Sequence, residues 1–164
     1  MDSKEILKMM DHKYALFGLF FAFHNRLQAT GDSFYEEITC KQFFLLACMN
    51  LYTEEAPTAN ELAKTMGCSR QNVKEILNSL EKKELIYLQA DEYDKRKNRV
   101  YLTQRCMKMA GKYREKETFF MQMLFEGLSD KDVDDAYRIR SKIEENLINM
   151  EQSGDMSSGD LKSF

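Results

Sequence analysis

The sequence predicts a mainly α (α+β) chain with a single short hairpin, and three observations carry that prediction. Apolar residues recur at spacings of three and four through several long stretches of the 164 residues. Two Thr-x-x-Glu/Gln boxes, at Thr39-Cys40-Lys41-Gln42 and Thr58-Ala59-Asn60-Glu61, each satisfy two otherwise orphan backbone donors and so mark helix starts. Between residues 86 and 102 the period changes to two: Ile86 and Leu88 pack inward on one strand, Val100 and Leu102 on the other.

In chain order, Lys4 to Gln28 reads as one long helix. Leu7, Met10, Tyr14, Phe17, Phe21 and His24 share one stripe, and Leu16, Leu19, Phe20, Phe23 and Leu27 fill an adjacent face. An apolar surface this broad predicts burial on two sides, one against its own domain and one against a second subunit. Ala29-Thr30-Gly31-Asp32 is expected to end it. The box at Thr39 opens a helix through Phe43, Leu46, Ala47, Met49 and Leu51. Tyr52 to Pro57 forms a loop, and Pro57, the sole proline, suits the lead-in to the next capped helix.

That helix starts at Thr58, carries Leu62, Ala63 and Met66, and stops at Gly67, which tolerates a left-handed helix end. Ser69 is the expected N-cap of the following helix. Val73, Ile76, Leu77 and Leu80 form its apolar stripe, while Arg70, Gln71, Asn72 and Lys74 extend polar arms from its first turns. Two short helices joined by such a turn form a helix-turn-helix, whose second helix enters the DNA major groove. The hairpin follows, with Lys95, Arg96 and Lys97 in its loop and Arg99 just beyond. A cationic hairpin beside such a helix is a wing, suited to the narrow, negative minor groove.

Thr103 caps a long helix to about Glu126. Lys108, Lys112, Arg114 and Lys116 decorate its first half, and its second half, Phe119 to Phe125, is apolar nearly all round and expected to be largely buried. Gly127 breaks it. Ser129 caps a last helix with Asp130 and Asp132 in the favourable first turn, and Val133, Ala136, Tyr137, Ile139, Ile143, Leu147, Ile148 and Met150 line its apolar side. Gln152 to Phe164 reads as a flexible tail.

These residues resemble a known family. Asp94-x-Arg96-x-x-x-Val100-x-Leu102-Thr103 is similar to the wing signature of the MarR family of bacterial winged-helix transcriptional regulators. Glu61-Leu62-Ala63, Ser69 with Val73, and Leu80-Glu81-Lys82-Lys83-Glu84-Leu85-Ile86 fall where that family has them, as does the Thr39/Gln42 box. The resemblance spans roughly Lys4 to Met150. It implies a single domain over residues 1–151, with the winged helix-turn-helix at about 39–103 and dimerisation helices at about 1–30 and 118–151. It further implies that Arg96 is the minor-groove arginine and Asp94 the carboxylate orienting it, and that small aromatic or phenolic effectors enter a crevice beside the dimer helices.

Net charge is −3, a poor match to a polyanion until it is divided along the chain. Residues 1–60 carry −3, residues 61–116 carry 14 basic against 8 acidic side chains for +6, and residues 117–164 carry −6. The positive block coincides with the helix-turn-helix, the wing and the start of the next helix, as a phosphate-binding face requires. The expected partners are therefore double-stranded DNA, read by Ser69, Arg70, Gln71, Asn72, Lys74, Lys95, Arg96, Lys97 and Arg99, and a second copy of the chain. Two-fold symmetry would set the recognition helices about 34 Å apart on a pseudo-palindromic operator.

Other chemistries are weakly supported. Phe17, Phe21 and His24 are candidates for an effector pocket, although core packing explains an aromatic stripe more simply. Cys68 lies in the turn before the recognition helix, near Arg70, where a thiolate would be favoured and a redox-sensing role is open, although inert packing explains it more simply, since that turn usually holds a small apolar residue that Cys imitates well. His12 and His24 stand several turns apart with no cysteine cluster, so neither a metal nor another cofactor is expected. No catalytic motif is present. No apolar run reaches the length of a membrane span and no signal-peptide layout is visible, which predicts a cytoplasmic protein. A winged helix can also serve as a protein-docking module without DNA, but a docking surface would more often be apolar than basic.

Overall fold

The computed structural model describes residues 10–153. Among them are six helices and two strands: α1 (His12–Phe34), α2 (Cys40–Met49), α3 (Ala59–Met66), α4 (Arg70–Lys82), β1 (Ile86–Ala90), β2 (Asn98–Leu102), α5 (Gln104–Leu124) and α6 (Asp130–Ser153). The chain divides into two compact units, Met1–Gly111 and Lys112–Phe164, with the boundary inside α5.

Helix α1 differs from its expected span at both ends. Residues 4–9, Leu7 included, lie outside the described residues; Met10 and Asp11 are not helical, and the Asp11 carboxylate accepts the Lys13 amide at 2.8 Å as the N-cap. At the other end the helix runs straight through Gly31 to Phe34. Gly31 is buried, and a Cβ there would stand 2.5 Å from Cys40 Sγ. The glycine serves a close approach between α1 and the start of α2, not a turn. Asp32 Oδ1 accepts the Cys40 amide at 2.7 Å across the same contact.

The caps of α2, α3 and α4 form where the sequence places them. Thr39 and Gln42 exchange bonds at 3.2 and 3.1 Å. Thr58 and Glu61 do the same, Gly67 closes α3 at φ 62°, and Ser69 Oγ accepts the Asn72 amide at 3.2 Å. Gln42 does more than cap: buried, it donates to Ser79 Oγ at 2.8 Å and accepts from Lys83 Nζ at 2.9 Å, which ties α2 to α4. Around these helices Leu45, Leu62, Val73, Leu80, Leu85, Ile86 and Val100 are fully buried. Each such side chain contributes about 1.5–3 kcal/mol of apolar transfer.

β1 and β2 pair antiparallel in the register Ile86↔Leu102, Leu88↔Val100 and Ala90↔Asn98. The outer edge of β2 is not free: the Val100 amide donates to Pro57 O at 2.8 Å, and Thr58 bridges Arg99. Burial stops sooner than the period-two pattern predicts. Ile86 and Val100 are buried, but Leu88 is exposed although it stands directly opposite Val100. Glu84, between α4 and β1, is the one non-glycine residue with positive φ (56°) among the described residues.

In the second unit Gly127 turns the chain at φ 80°. Ser129 Oγ accepts the Asp132 amide at 3.2 Å while Asp132 Oδ2 accepts the Ser129 amide at 2.9 Å, starting α6. Gln152 and Ser153 continue α6 past the expected start of the tail, and residues 154–164 lie outside the described residues. Phe119, Met121 and Met123, expected inside, are exposed: the apolar circumference here exceeds what one chain covers. No helix among the described residues is long and apolar enough to cross a membrane.

Candidate nucleic-acid interface

Helix α4 presents its first turns to solvent. Its stripe of Val73, Leu77 and Leu80 is buried, which leaves Ser69, Arg70, Gln71, Asn72 and Lys74 exposed on the other side. Gln71 Nε2 donates to Glu75 Oε1 at 3.2 Å. Among the described residues Arg70 and Lys74 form no ion pair, so both cations are available to an incoming anion. The helix N-terminus adds its own positive end.

The wing loop is held by its own carboxylates. Asp94 Oδ1 accepts Arg96 Nε at 3.0 Å and Oδ2 accepts Nη2 at 3.3 Å, a two-point fork. Asp94 also accepts the Arg96 amide at 3.2 Å and pairs with Lys97 Nζ at 3.6 Å. Contact with the Arg96 guanidinium, then with its amide, holds the Asp94 carboxyl below the usual range. The Arg96 side chain is nevertheless 90% exposed. Lys95 is exposed and makes no ion pair among the described residues.

Arg99 does not join this group. Its side chain is 12% exposed and fully engaged: Nε donates to Asp91 Oδ2, Nη1 to Ala56 O at 2.5 Å, and Nη2 pairs with Glu55 Oε1 at 2.5 Å. A guanidinium with acceptors on every side cannot reach a phosphate without breaking these bonds. Arg99, expected to face DNA with the other wing cations, is here built into the base of the wing. Its partner Asp91 is a residue of the wing that sequence reasoning did not single out. Asp91 Oδ1 accepts the amides of Tyr93 at 2.9 Å and Asp94 at 2.7 Å, and its own amide donates to Lys97 O at 2.9 Å. The Asp94 amide first, and Arg99 second, keep its carboxyl below the usual range. An Asp two and three residues ahead of the amides it accepts is a turn signature, and it was readable as one.

The remaining candidates stand apart. All four cysteines are free. Burial raises Cys40, Cys48 and Cys106, which disfavours their thiolates, while Cys68 is half-buried in the turn before α4. Phe17 and Phe21 meet edge to face at 5.1 Å on the outside of α1, 64% and 61% exposed, with His24 exposed on the same helix. Among the described residues no three His, Cys, Asp or Glu side chains group to hold a metal ion.

Residues 38–97 match the family model for the MarR family. No curated protein sequence matches the chain. Among solved structures, the Staphylococcus aureus MepR–DNA complex is 24% identical, covering 79% of this chain and 94% of that one at a TM-score of 0.69. A MarR/EmrR family transcriptional regulator from Acinetobacter sp. ADP1 is 14% identical, covering 86% and 100% at a TM-score of 0.75. Bordetella bronchiseptica BpsR, whose DNA binding is regulated by 6-hydroxynicotinic acid, is 20% identical, covering 76% and 90% at a TM-score of 0.66. The segment that carries the helix-turn-helix and the Asp94–Arg96 wing tip is thus similar to the MarR family, and the chain around it has the fold of these solved structures.

Proposed function

We propose that this protein is a DNA-binding transcriptional regulator that acts as a homodimeric repressor on a pseudo-palindromic operator. The observation that carries the reading is the pairing of an exposed recognition-helix start, with Arg70 and Lys74 unpaired among the described residues, and a wing whose exposed Arg96 is preset by Asp94. In this reading Arg70, Gln71, Asn72 and Lys74 contact the major groove. Arg96, with Lys95 and Lys97, takes the adjacent minor groove and its phosphates, and Ser69 contacts a backbone phosphate while capping α4.

The dimer uses the apolar faces of α1 and α6. Phe17, Phe21 and Phe23 on α1, and Tyr137, Leu147 and Ile148 on α6, are exposed in the single chain, more apolar surface than a monomer usually leaves uncovered. A small aromatic effector acting through Phe17, Phe21 and His24 completes the proposal. The regulation of BpsR by 6-hydroxynicotinic acid supports that chemistry by analogy.

The test is selection of duplexes from a random pool by the full-length protein. The expected product is a two-fold symmetric sequence with half-sites about one helical turn apart. Recovery of no enriched sequence would refute the reading. Repression, as distinct from activation, predicts that a reporter carrying the selected site is silenced by the protein and released by its removal.

A further inference from the structure

We infer that Arg99 is a positioning residue for the wing: it locks the hairpin loop to the segment ahead of α3, so that Arg96 meets the duplex in a fixed place, without touching DNA itself. The inference rests on the DNA-binding reading and adds to it the part that sets the wing.

The contacts form one continuous chain. Glu55 and Ala56, in the loop between α2 and α3, hold Arg99 from one side. Asp91 holds it from the other, and through Oδ1 the same carboxylate fixes the amides of Tyr93 and Asp94. Asp94 in turn forks Arg96. The arginine that faces solvent is thus four links from the helix-turn-helix lead-in, and every link is a charged or backbone hydrogen bond. Pro57 O, bound to the Val100 amide, continues the same attachment on the backbone. A lysine at position 99 would keep the charge but not the planar fork that serves three separate acceptors.

The experiment uses full-length Arg99→Gln, Arg99→Lys, Arg96→Ala and the double variant Arg96→Ala/Arg99→Gln, titrated against a selected duplex by fluorescence anisotropy. Arg96→Ala is expected to weaken binding about tenfold. Arg99→Gln and Arg99→Lys should each weaken it about five- to tenfold, yet Arg99→Gln should add less than about twofold in the Arg96→Ala background, because both act through one contact. Losses that multiply, or recovery of affinity by Arg99→Lys, would identify a phosphate contact and overturn the proposal. So would unchanged affinity of Arg99→Gln.

Amide hydrogen exchange separates positioning from general stability. Faster exchange confined to the wing loop, at Tyr93, Asp94 and Lys97, is expected in Arg99→Gln; faster exchange throughout α2 to α4 would overturn the assignment. Glu55→Gln, which removes the half-exposed partner alone, should give a loss of about twofold that also vanishes beside Arg96→Ala, and keeps the test open if Arg99→Gln does not fold. If the parent chain binds no selected duplex, the DNA reading falls, and exchange at Tyr93 and Asp94 still decides whether Arg99 holds the wing.

Discussion

Asp94 and Arg96 are joined at two points on an exposed loop, Nε to Oδ1 at 3.0 Å and Nη2 to Oδ2 at 3.3 Å. An exposed ion pair of this kind adds little to folding stability. Its value lies in presetting a long side chain whose freedom would otherwise be lost on binding. Arg96→Ala should therefore weaken duplex binding about tenfold while shifting the melting temperature by no more than about 1–2 °C. Asp94→Ala should give a smaller loss, since the cation remains but is no longer oriented. Anisotropy and circular dichroism on the same samples check both.

The wing should open in acid. Asp91 and Asp94 are both held below the ordinary carboxylate range, Asp91 chiefly by the Asp94 amide and Asp94 chiefly by the Arg96 guanidinium. A depressed folded-state value adds stability above the unfolded value, about 3.9, and loses it as pH falls through the folded one. Protection of the Tyr93 and Asp94 amides, corrected for intrinsic exchange, should be level from pH 7 to 5 and fall below about pH 4. Loss of protection already at pH 6 would show that other groups govern the wing.

Gly31 should resist enlargement. Gly31→Ala would drive a Cβ to 2.5 Å from Cys40 Sγ, so a neighbour must shift. Overpacking of this kind costs about 1–3 kcal/mol, read as a lowered denaturation midpoint. Cys40→Gly removes both the sulfur and the Cys40 Cβ, which would otherwise lie 2.7 Å from the added methyl, and should recover part of that loss in the double variant. Simple addition of the two losses would mean that the contact does not limit the approach of α1 to α2.

Glu84 sits at φ 56° with a side chain that disfavours that region. Glu84→Gly should raise unfolding free energy by about 0.5–1 kcal/mol in urea denaturation, the relief of strain outweighing the entropy of glycine. No gain would mean that the Glu84 side chain contributes as much as the backbone loses.

The aromatic face of α1 bears on assembly. Phe17 and Phe21 stand 64% and 61% exposed in the single chain. Phe17→Glu/Phe21→Glu should turn a dimer into a monomer in sedimentation velocity and leave the secondary structure intact, because neither ring belongs to the single-chain core. A dimer that survives both changes would place its interface elsewhere.

The parts of the fold that were legible in the sequence are those coded by nearest neighbours. The Thr39/Gln42 and Thr58/Glu61 boxes, Gly67 and Ser69 each act within four residues; α2, α3 and α4 begin accordingly and α3 ends at Gly67, whereas α2 stops at Met49, short of the Leu51 that its pattern includes. Gly31 was misread as a helix stop because its real constraint, Cys40, arrives through packing between two helices. The partners of Arg99 were hidden for the same reason: beside Lys95, Arg96 and Lys97 it looks like one more wing cation, and only the folded chain brings Glu55 and Ala56 to it. Leu88 shows the limit of a period-two pattern, which gives the face of a strand but not how well each strand of a pair is covered: Val100 opposite it is buried and Leu88 is not. The candidate site was legible where its chemistry is local, at Asp94 and Arg96 and in the first turns of α4.

On the reading proposed above, the exposed cations of α4 and the wing form one phosphate-binding face. The most direct measurement is the salt dependence of affinity for a selected duplex. If each protomer of a dimer neutralises three to five phosphates, the slope of log affinity against log salt should be about −5 to −9. A slope between zero and about −1 would contradict the claim, because binding would then proceed with almost no counterion release.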